Sequence, residues 1–165
     1  MFKWLCPLIL LLLLSCSKPE EKLDVKMEEA RIHQLMDSWH QAASVADEET
    51  FFGSMSEDAI YLGTDKNERW DKSTFMEWSE PYFQRDTAWS FHSHDRTIYF
   101  STDAKNAWFE ESLDTWMGPC RGSGVLEWDN GEWKLTHYNL AMCIDNDDID
   151  AVLRVIQPDS LLPPD

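Results

Sequence analysis

Four long segments rich in aromatic and β-branched residues fill the second half of the chain, and they constrain its fold more than any other feature. They span residues 87–100, 106–116, 120–128 and 132–143. Short turn signals separate them, namely Ser101-Thr102-Asp103, Gly118-Pro119 and Asp129-Asn130-Gly131. We therefore expect consecutive segments to pair as antiparallel strands. Strands of this length form a sheet that twists and curls.

The region before these strands has the periodicity of helices. Apolar residues recur every three or four positions between residues 26 and 46, as on one face of a helix. Asp47 is expected to cap a second helix, and Asp71 or Ser73 a third helix that Pro81 kinks or ends. The order predicts an α+β fold, in which a cone-shaped, curved antiparallel sheet wraps against three N-terminal helices and encloses a cavity.

The N-terminus has the features of a bacterial lipoprotein signal. An apolar run at residues 5–14 follows Lys3 and is too short to span a bilayer, but it suits the core of a signal peptide. The run ends in Leu13-Leu14-Ser15-Cys16, which resembles a lipobox whose cysteine becomes acylated; a plain secretory signal is the alternative. The prediction is a signal peptide at 1–15, a tether at 16–25, one domain at 26–157 and a tail at 158–165.

Composition narrows the location and the partners of the protein. Ser17, rather than an aspartate, follows Cys16, which by analogy favours the outer membrane of a Gram-negative cell envelope. The acyl anchor would hold the domain there without a spanning helix. Loss of Lys3 with the signal leaves 13 basic against 31 acidic residues, a net charge of −18. Such a surface repels phosphate backbones, so nucleic acid is not an expected partner.

Several motifs, taken together and in order, resemble the SnoaL-like proteins of the nuclear transport factor two-like superfamily. They are Trp39, Tyr61-Leu62-Gly63-Thr64-Asp65, Glu68-Arg69-Trp70, Trp78-Ser79-Glu80-Pro81-Tyr82-Phe83, Ala107-Trp108-Phe109, Gly131-Glu132-Trp133-Lys134-Leu135 and His137-Tyr138-Asn139. The resemblance covers roughly residues 27–145 and implies a cone-shaped fold and a homodimer formed through the open face of the sheet. It implies no single activity, because the superfamily includes isomerases, dehydratases and cyclases as well as members that only bind or assemble. Asn139 stands where relatives often have a second histidine, which argues against acid–base chemistry by a histidine pair.

The Asp129-Asn130-Gly131 turn decides which residues of the last hairpin share a face. A three-residue loop with a bulge would place Arg121 opposite Asn139. A two-residue Asn-Gly turn would shift the register by one and place Arg121 opposite Leu140. The three-residue loop fits the Asp-Asn-Gly sequence better and is preferred.

The preferred register predicts a polar site and two free thiols. Arg121 and His137 would converge with Asn139, the first offering a planar fork to a carboxylate or enolate and the second a proton donor or acceptor. They would form the floor of an aromatic ligand pocket, whose wall is expected to contain Tyr61, Trp70, Trp78 and Tyr82. The competing interpretation is that Arg121 neutralises nearby acids and that His137 is a hydrogen-bonded core residue. Cys120 and Cys143 would lie on opposite faces and stay unbridged.

Glu111 is a third catalytic candidate, on the strand that also carries Glu110 and Asp114. Alternation puts Glu111 on the more apolar face and the other two on the opposite face. Glu111 is therefore expected to point inward, where burial can tune a carboxyl for acid–base work. A solvated strand of an acidic protein would carry the same residues.

His92 and His94 form the most metal-like motif, but they do not predict a metal site. They share a face of one strand, whereas Asp95 points away, and zinc requires at least a third ligand. Alternation places Arg96 and Ile98 on the face of the two histidines. No metal and no cofactor is predicted.

These features favour an anchored cell-envelope lipoprotein whose domain binds a small, partly apolar ligand and is non-enzymatic or at most weakly enzymatic. One alternative is an isomerase, dehydratase or hydrolase that uses His137 as base, with Arg121 or Glu111 as its electrostatic partner. Another is a structural or assembly domain whose own side chains fill the cone.

Overall fold

The computed structural model describes residues 24–157. Two helices precede the first strand, and a third helix lies between the second and third of six strands. The elements are α1 (Val25–Ser44), α2 (Glu48–Gly53), β1 (Met55–Leu62), β2 (Arg69–Asp71), α3 (Lys72–Phe83), β3 (His92–Phe100), β4 (Asn106–Thr115), β5 (Gly118–Asp129), β6 (Glu132–Met142), a 3₁₀ turn (Asn146–Asp148) and α4 (Ile149–Ile156). The predicted signal peptide, Cys16 and the C-terminal tail lie outside the described residues. No helix of the described range is long and apolar enough to cross a membrane.

Aspartate side chains begin the three N-terminal helices. Asp24, Asp47 and Asp71 each accept a hydrogen bond from a backbone N–H two or three residues further on, which satisfies a donor that the helix itself leaves free. Both caps predicted from the sequence are therefore present, with Asp71 rather than Ser73 starting α3. Pro81 lies in the last turn of α3, which ends two residues later.

The six strands form one curved sheet in the order β2-β1-β6-β5-β4-β3. Neighbours pair antiparallel except β1 and β6, which run parallel, so the sheet is mixed. The whole β3–β5 meander separates β1 from β6 in the chain, and a parallel pair requires such a long connection. The α+β cone predicted from the sequence is confirmed.

Helix α1 packs its apolar side on the inner face of the sheet. Ile32 and Met36 are fully buried there, and a hydrogen bond of 2.9 Å from Trp133 Nε1 to Glu28 Oε2 ties the start of α1 to β6. Arg31 Nη1 lies 3.0 Å from the other oxygen of Glu28, so this buried carboxylate is also paired. These contacts hold α1 at a fixed distance from the sheet, and this distance sets the space available for the interior side chains.

The β5–β6 hairpin turns through two residues, so the preferred three-residue loop is wrong. Asp129 pairs with Glu132, and both residues between them have positive φ, 50° for Asn130 and 99° for Gly131. This is the backbone of the tight hairpin turn that Asn-Gly favours, because asparagine and glycine adopt left-handed conformations at low cost.

A bulge on β6 then shifts the register by one further residue. Leu126 pairs with Leu135, but the next pair is Val125 with His137, so Thr136 is the extra residue. Beyond the bulge the register therefore differs from the preferred one by two residues. Because side chains alternate with a period of two, the residues there share faces as in the preferred register.

A second bulge, on β3, overturns the simple alternation expected there. His94 pairs with Ser112 of β4, but the next regular pair is Thr97 with Glu110. Two residues, Asp95 and Arg96, thus oppose Glu111, and Asp95 has a left-handed φ of 53°. After the bulge, Arg96, Ile98 and Phe100 point to the interior while Thr97 and Tyr99 point outward. The prediction that Arg96 and Ile98 share the face of the two histidines is therefore wrong.

Candidate functional site

An open-mouthed cavity of about 250 Å³ lies between α3, the end of β1 and the segment before β3. Its walls are mainly aromatic and include Tyr61, Trp70, Phe75, Trp78, Tyr82, Trp89, Phe91 and Trp116. The four aromatic residues predicted for the pocket wall are all present in this set. Their role in binding a ligand stays a prediction.

The local structure explains why these rings share one wall. Tyr61 and Trp70 are directly opposite in the β1–β2 pair, so their side chains lie on one face. Trp78 and Tyr82 are four residues apart on α3 and stack with centroids 5.0 Å apart, as neighbours on one helix face do. Trp70 joins the two sets, with its centroid 4.6 Å from that of Trp78.

Glu68 is the one acidic or basic residue that lines this cavity within the described range. Its Oε2 accepts a hydrogen bond of 3.0 Å from the backbone N–H of Asp65. The carboxylate also occupies the space where Gly63 would carry a Cβ, so glycine lets it lie across the loop. Burial, and then the negative charge of Glu68, raise the pKa of Tyr61, so that phenol stays neutral beside the carboxylate.

A second polar arrangement lies buried between α1 and the sheet, centred on Glu111. Its Oε1 receives hydrogen bonds from His40 Nε2 at 2.8 Å and from the Tyr138 hydroxyl at 3.2 Å. Its Oε2 receives them from the Ser93 hydroxyl at 2.6 Å and from Arg96 Nε at 2.8 Å. Glu111 is 2% exposed, which confirms the prediction that it is the inward acid of β4.

Arg96 connects this carboxylate to helix α1. Its Nη1 donates to the backbone carbonyl of His33 at 3.1 Å and to Asp37 Oδ1 at 2.8 Å, and its Nη2 donates to the Ser93 hydroxyl at 3.0 Å. The planar guanidinium thus joins two strands and a helix. Arg96 and Glu111 are buried and balance one another's charge, whereas Asp37 is largely exposed to solvent.

The neighbours of Glu111 keep it ionised despite its burial. Burial by itself would raise the pKa of the carboxyl, but the hydrogen bond and charge of His40, the charge of Arg96 and the hydrogen bond from Ser93 outweigh it. Together they lower the pKa to about 2. Conversely, burial and the adjacent Glu111 raise the pKa of Tyr138 well above its ordinary value. The group can hold an anion in place, but a carboxylate with both oxygens occupied is a poor base.

The structure does not bring Arg121, His137 and Asn139 to either place. Cys120 on β5 and Tyr138 on β6 occupy inner positions, so the three predicted residues, which alternate with them, lie on the outer face of the sheet. Val125 pairs with His137. Arg121 lies four residues before Val125 on β5, which separates it from that pair by about 13 Å at the usual rise of a strand. Their grouping on one face was expected, but that face is not the interior.

The two histidines of β3 also lie outside the interior. Both are exposed, and His94 Nδ1 is 3.0 Å from Asp95 Oδ2 while its Nε2 is 3.6 Å from Asp114 Oδ1. The hydrogen bond to Asp95, followed by the charge of Asp114, raises the pKa of His94. Across residues 24–157 no group of three or more His, Cys, Asp or Glu side chains is arranged to hold a metal ion.

The sequence did not predict the partners of Glu111, which are His40, Arg96, Ser93 and Tyr138. His40 did carry a signal, because it follows Trp39 and lies four residues after Met36 on the buried side of α1, where an ionisable residue requires a partner. Arg96 carried none, since only the bulge turns it inward.

A helix-backed curved sheet around an aromatic cavity defines the cone-shaped α+β class of domain. The family comparison identifies the member of that class: the profile of the SnoaL-like domain matches residues 32–145. The chain therefore belongs to the SnoaL-like family. Among curated proteins no match was found.

Solved structures share this fold at low sequence identity. An NTF2-like protein of unknown function from Pseudomonas putida KT2440 has a TM-score of 0.61 and 16% identity, over 74% of this chain and 91% of that one. A candidate scytalone dehydratase from Novosphingobium aromaticivorans DSM 12444 has a TM-score of 0.61 and 13% identity, over 73% and 87%. The association domain of C. elegans CaMKII has a TM-score of 0.58 and 14% identity, over 71% and 97%. At these identities the likeness shows the fold alone.

Proposed function

We propose that this domain binds a small, partly apolar ligand in its aromatic cavity. The observation that carries the proposal is the cavity itself, about 250 Å³ of space walled by eight aromatic side chains. Protein interiors are normally close-packed, and an apolar cavity of about 150 Å³ is enough to take up benzene. The space accordingly suits a molecule of one or two rings.

The geometry supports ligand binding at this site better than it supports catalysis. Glu111, the buried acid, has both oxygens occupied and a pKa of about 2, which makes it a weak base at neutral pH. The alternative enzyme would use His137 with Arg121, but these residues lie apart on the outer face. Neither group offers a base and an acid converging on one substrate.

The ligand test compares two tryptophans of similar exposure, Trp78 in the cavity wall and Trp108 on the outer face, 41% and 46% exposed. The mature chain, carrying Cys16→Ser to avoid acylation, is titrated with indole and 2-naphthol by calorimetry and thermal shift. Trp78→Ala is expected to weaken binding about tenfold, the equivalent of one lost ring contact, whereas Trp108→Ala leaves the dissociation constant within about twofold. Failure of both compounds to raise the melting temperature, or equal losses in the two variants, would contradict the proposal.

We also propose that the protein is a lipoprotein of the bacterial cell envelope, anchored through Cys16 in the outer membrane. The supporting observations are the lipobox-like sequence and the charged tether that follows it. Globomycin, which blocks the lipoprotein signal peptidase, should cause the uncleaved precursor to accumulate, and Cys16→Ala should abolish membrane retention. Cys143→Ala is the matched control, since that thiol is free and exposed. Unchanged processing in Cys16→Ala would exclude the anchor.

A homodimer through the open face of the sheet is the third part of the proposal. Tyr99 and Trp108 stack on that face with centroids 5.9 Å apart, and both are more than two-fifths exposed. They border a shallow depression together with Val125 and His137. Exposed aromatic pairs beside a depression are typical of surfaces that bury themselves against another protein surface.

A further inference from the structure

Four tryptophans contribute to the cavity wall, and indole is a ring system with a particular electrostatic preference. They are Trp70, Trp78, Trp89 and Trp116. The face of an aromatic ring carries the negative part of its quadrupole, and indole attracts cations more strongly than phenol or benzene rings do. Several indole rings around one space favour a positively charged occupant.

Glu68, the single acidic residue among the described lining residues, also favours a positively charged ligand. Glu68 is partly buried at the cavity, and within residues 24–157 no lysine, arginine or histidine forms an ion pair with it. Within the described range its carboxylate has one hydrogen bond, which the Asp65 backbone N–H donates. An anionic ligand would meet this carboxylate with no compensating cation in the lining, whereas a cation would supply the missing partner.

Two further observations agree with this preference. The Arg85 guanidinium already lies 4.5 Å from the centroid of the Tyr82 ring. Tyr82 belongs to the cavity wall, whereas Arg85 does not line the cavity. The whole chain has a net charge of −17, which raises the local concentration of cations around it.

We propose that the ligand of this cavity is an organic cation, an amine or quaternary ammonium group attached to a small apolar body. The inference rests on the proposed function, because it requires that the cavity binds a ligand. The tryptophan faces would surround the cationic head and Glu68 would balance its charge. Such an arrangement is how proteins recognise quaternary ammonium groups in general.

The test uses two probes of the same shape that differ in charge, 3-hydroxyphenyltrimethylammonium and 3-tert-butylphenol. Both are titrated into the mature chain by calorimetry at low ionic strength. We expect the cation to bind at least about tenfold more tightly than its neutral isostere, and added salt to reduce this ratio by screening. Glu68→Gln, which keeps an oxygen for the Asp65 N–H, should weaken the cation about fivefold or more and change the neutral probe less than about twofold. Glu127→Gln, an exposed glutamate of β5, is the control and should change neither.

The outcomes separate this inference from the proposed function. If the neutral probe binds as tightly as the cation, or if Glu68→Gln weakens both probes equally, the cavity still binds ligands but the cation inference is overturned. If neither probe binds and indole and 2-naphthol also fail, the proposed function itself is overturned. Trp78→Phe gives a second test that does not depend on the Glu68 loop, because it keeps an aromatic ring but weakens cation attraction, and it should lower the affinity for the cation more than for the phenol.

Discussion

Glu111 shows how a single buried acid organises the interior of this domain. Four donors from one helix and two strands surround its two oxygens, and they are His40, Tyr138, Ser93 and Arg96. A buried carboxylate with this many partners fixes the relative positions of the elements that supply them. Its role is therefore to hold α1 against the sheet beside the cavity.

Removing the charge of Glu111 should destabilise the protein at neutral pH. Among the described residues, Glu111→Gln leaves the buried guanidinium of Arg96 with the exposed Asp37 as its one ionic partner. Breaking a buried pair in this way costs about 3 kcal/mol or more. Urea unfolding at pH 7 measures the effect. Glu110→Gln, one residue away and exposed, should change the free energy of unfolding by less than about 0.5 kcal/mol. Equal effects of the two substitutions would contradict the role given to Glu111.

The contribution of Glu111 should also depend on pH in a defined direction. Its pKa is lowered from 4.5 to about 2 in the folded protein, so the folded state binds its proton less readily than the unfolded state does. The stabilisation, roughly 3 kcal/mol, is fully present above pH 4.5 and is lost as the pH falls from there towards 2. Unfolding free energies of the native chain and of Glu111→Gln should thus converge over this range, because groups that titrate alike in both proteins cancel. A difference that stays constant down to pH 2.5 would rule out this linkage.

At the scale of elements, regular patterns were predictable from the sequence and irregular ones were not. The Asp47 and Asp71 caps and the four long strands follow from local residue preferences. The bulges at Asp95 and Thr136 follow from no such preference, because each arises where tertiary packing favours one extra residue in a strand. A single insertion reverses every later side chain, and for this reason Arg96 was expected on the wrong face.

Strand β5 offers a direct test of how closely the Glu111 network is packed. A Cβ on Gly122 would collide with the Tyr138 hydroxyl and lie 2.9 Å from Glu111 Oε1. Both groups are buried and bonded to each other, so Gly122→Ala should cost roughly 2 kcal/mol. Gly53→Ala, at the end of α2 where a Cβ meets nothing within 4 Å, should be neutral or slightly stabilising. Chemical denaturation of the two variants gives the comparison, and an unchanged midpoint for Gly122→Ala would show that the network can relax.

At the scale of the whole molecule, the curved sheet separates two surfaces with different chemistry. Its inner face and the helices bury the Glu111 network and the aromatic cavity, while its outer face presents exposed aromatic, polar and charged residues. The resemblance seen in the sequence was enough to predict the cone and four residues of its aromatic wall. It could not decide which face of β6 points to the interior. Alternation places His137 and Asn139 on the same face but does not determine whether that face is the inner or the outer one. Burial of Tyr138 decides it, and that depends on contacts with α1 that are distant in sequence.

The outer face leads to the last prediction, which concerns assembly. In a two-fold dimer formed through this face, the same patch of each protomer meets its copy, so one substitution in the patch acts on both sides. Trp108→Asp would place two carboxylates in a surface that must lose water on association, and we expect it to raise the dimer dissociation constant at least about tenfold. Trp116→Asp is the control, because that tryptophan is 82% exposed and follows the end of β4 rather than lying within the strand. Sedimentation equilibrium of the mature chain checks both variants. A native chain that stays monomeric up to about 100 µM, or a Trp108→Asp variant that dimerises as the native chain does, would exclude this face as the dimer interface.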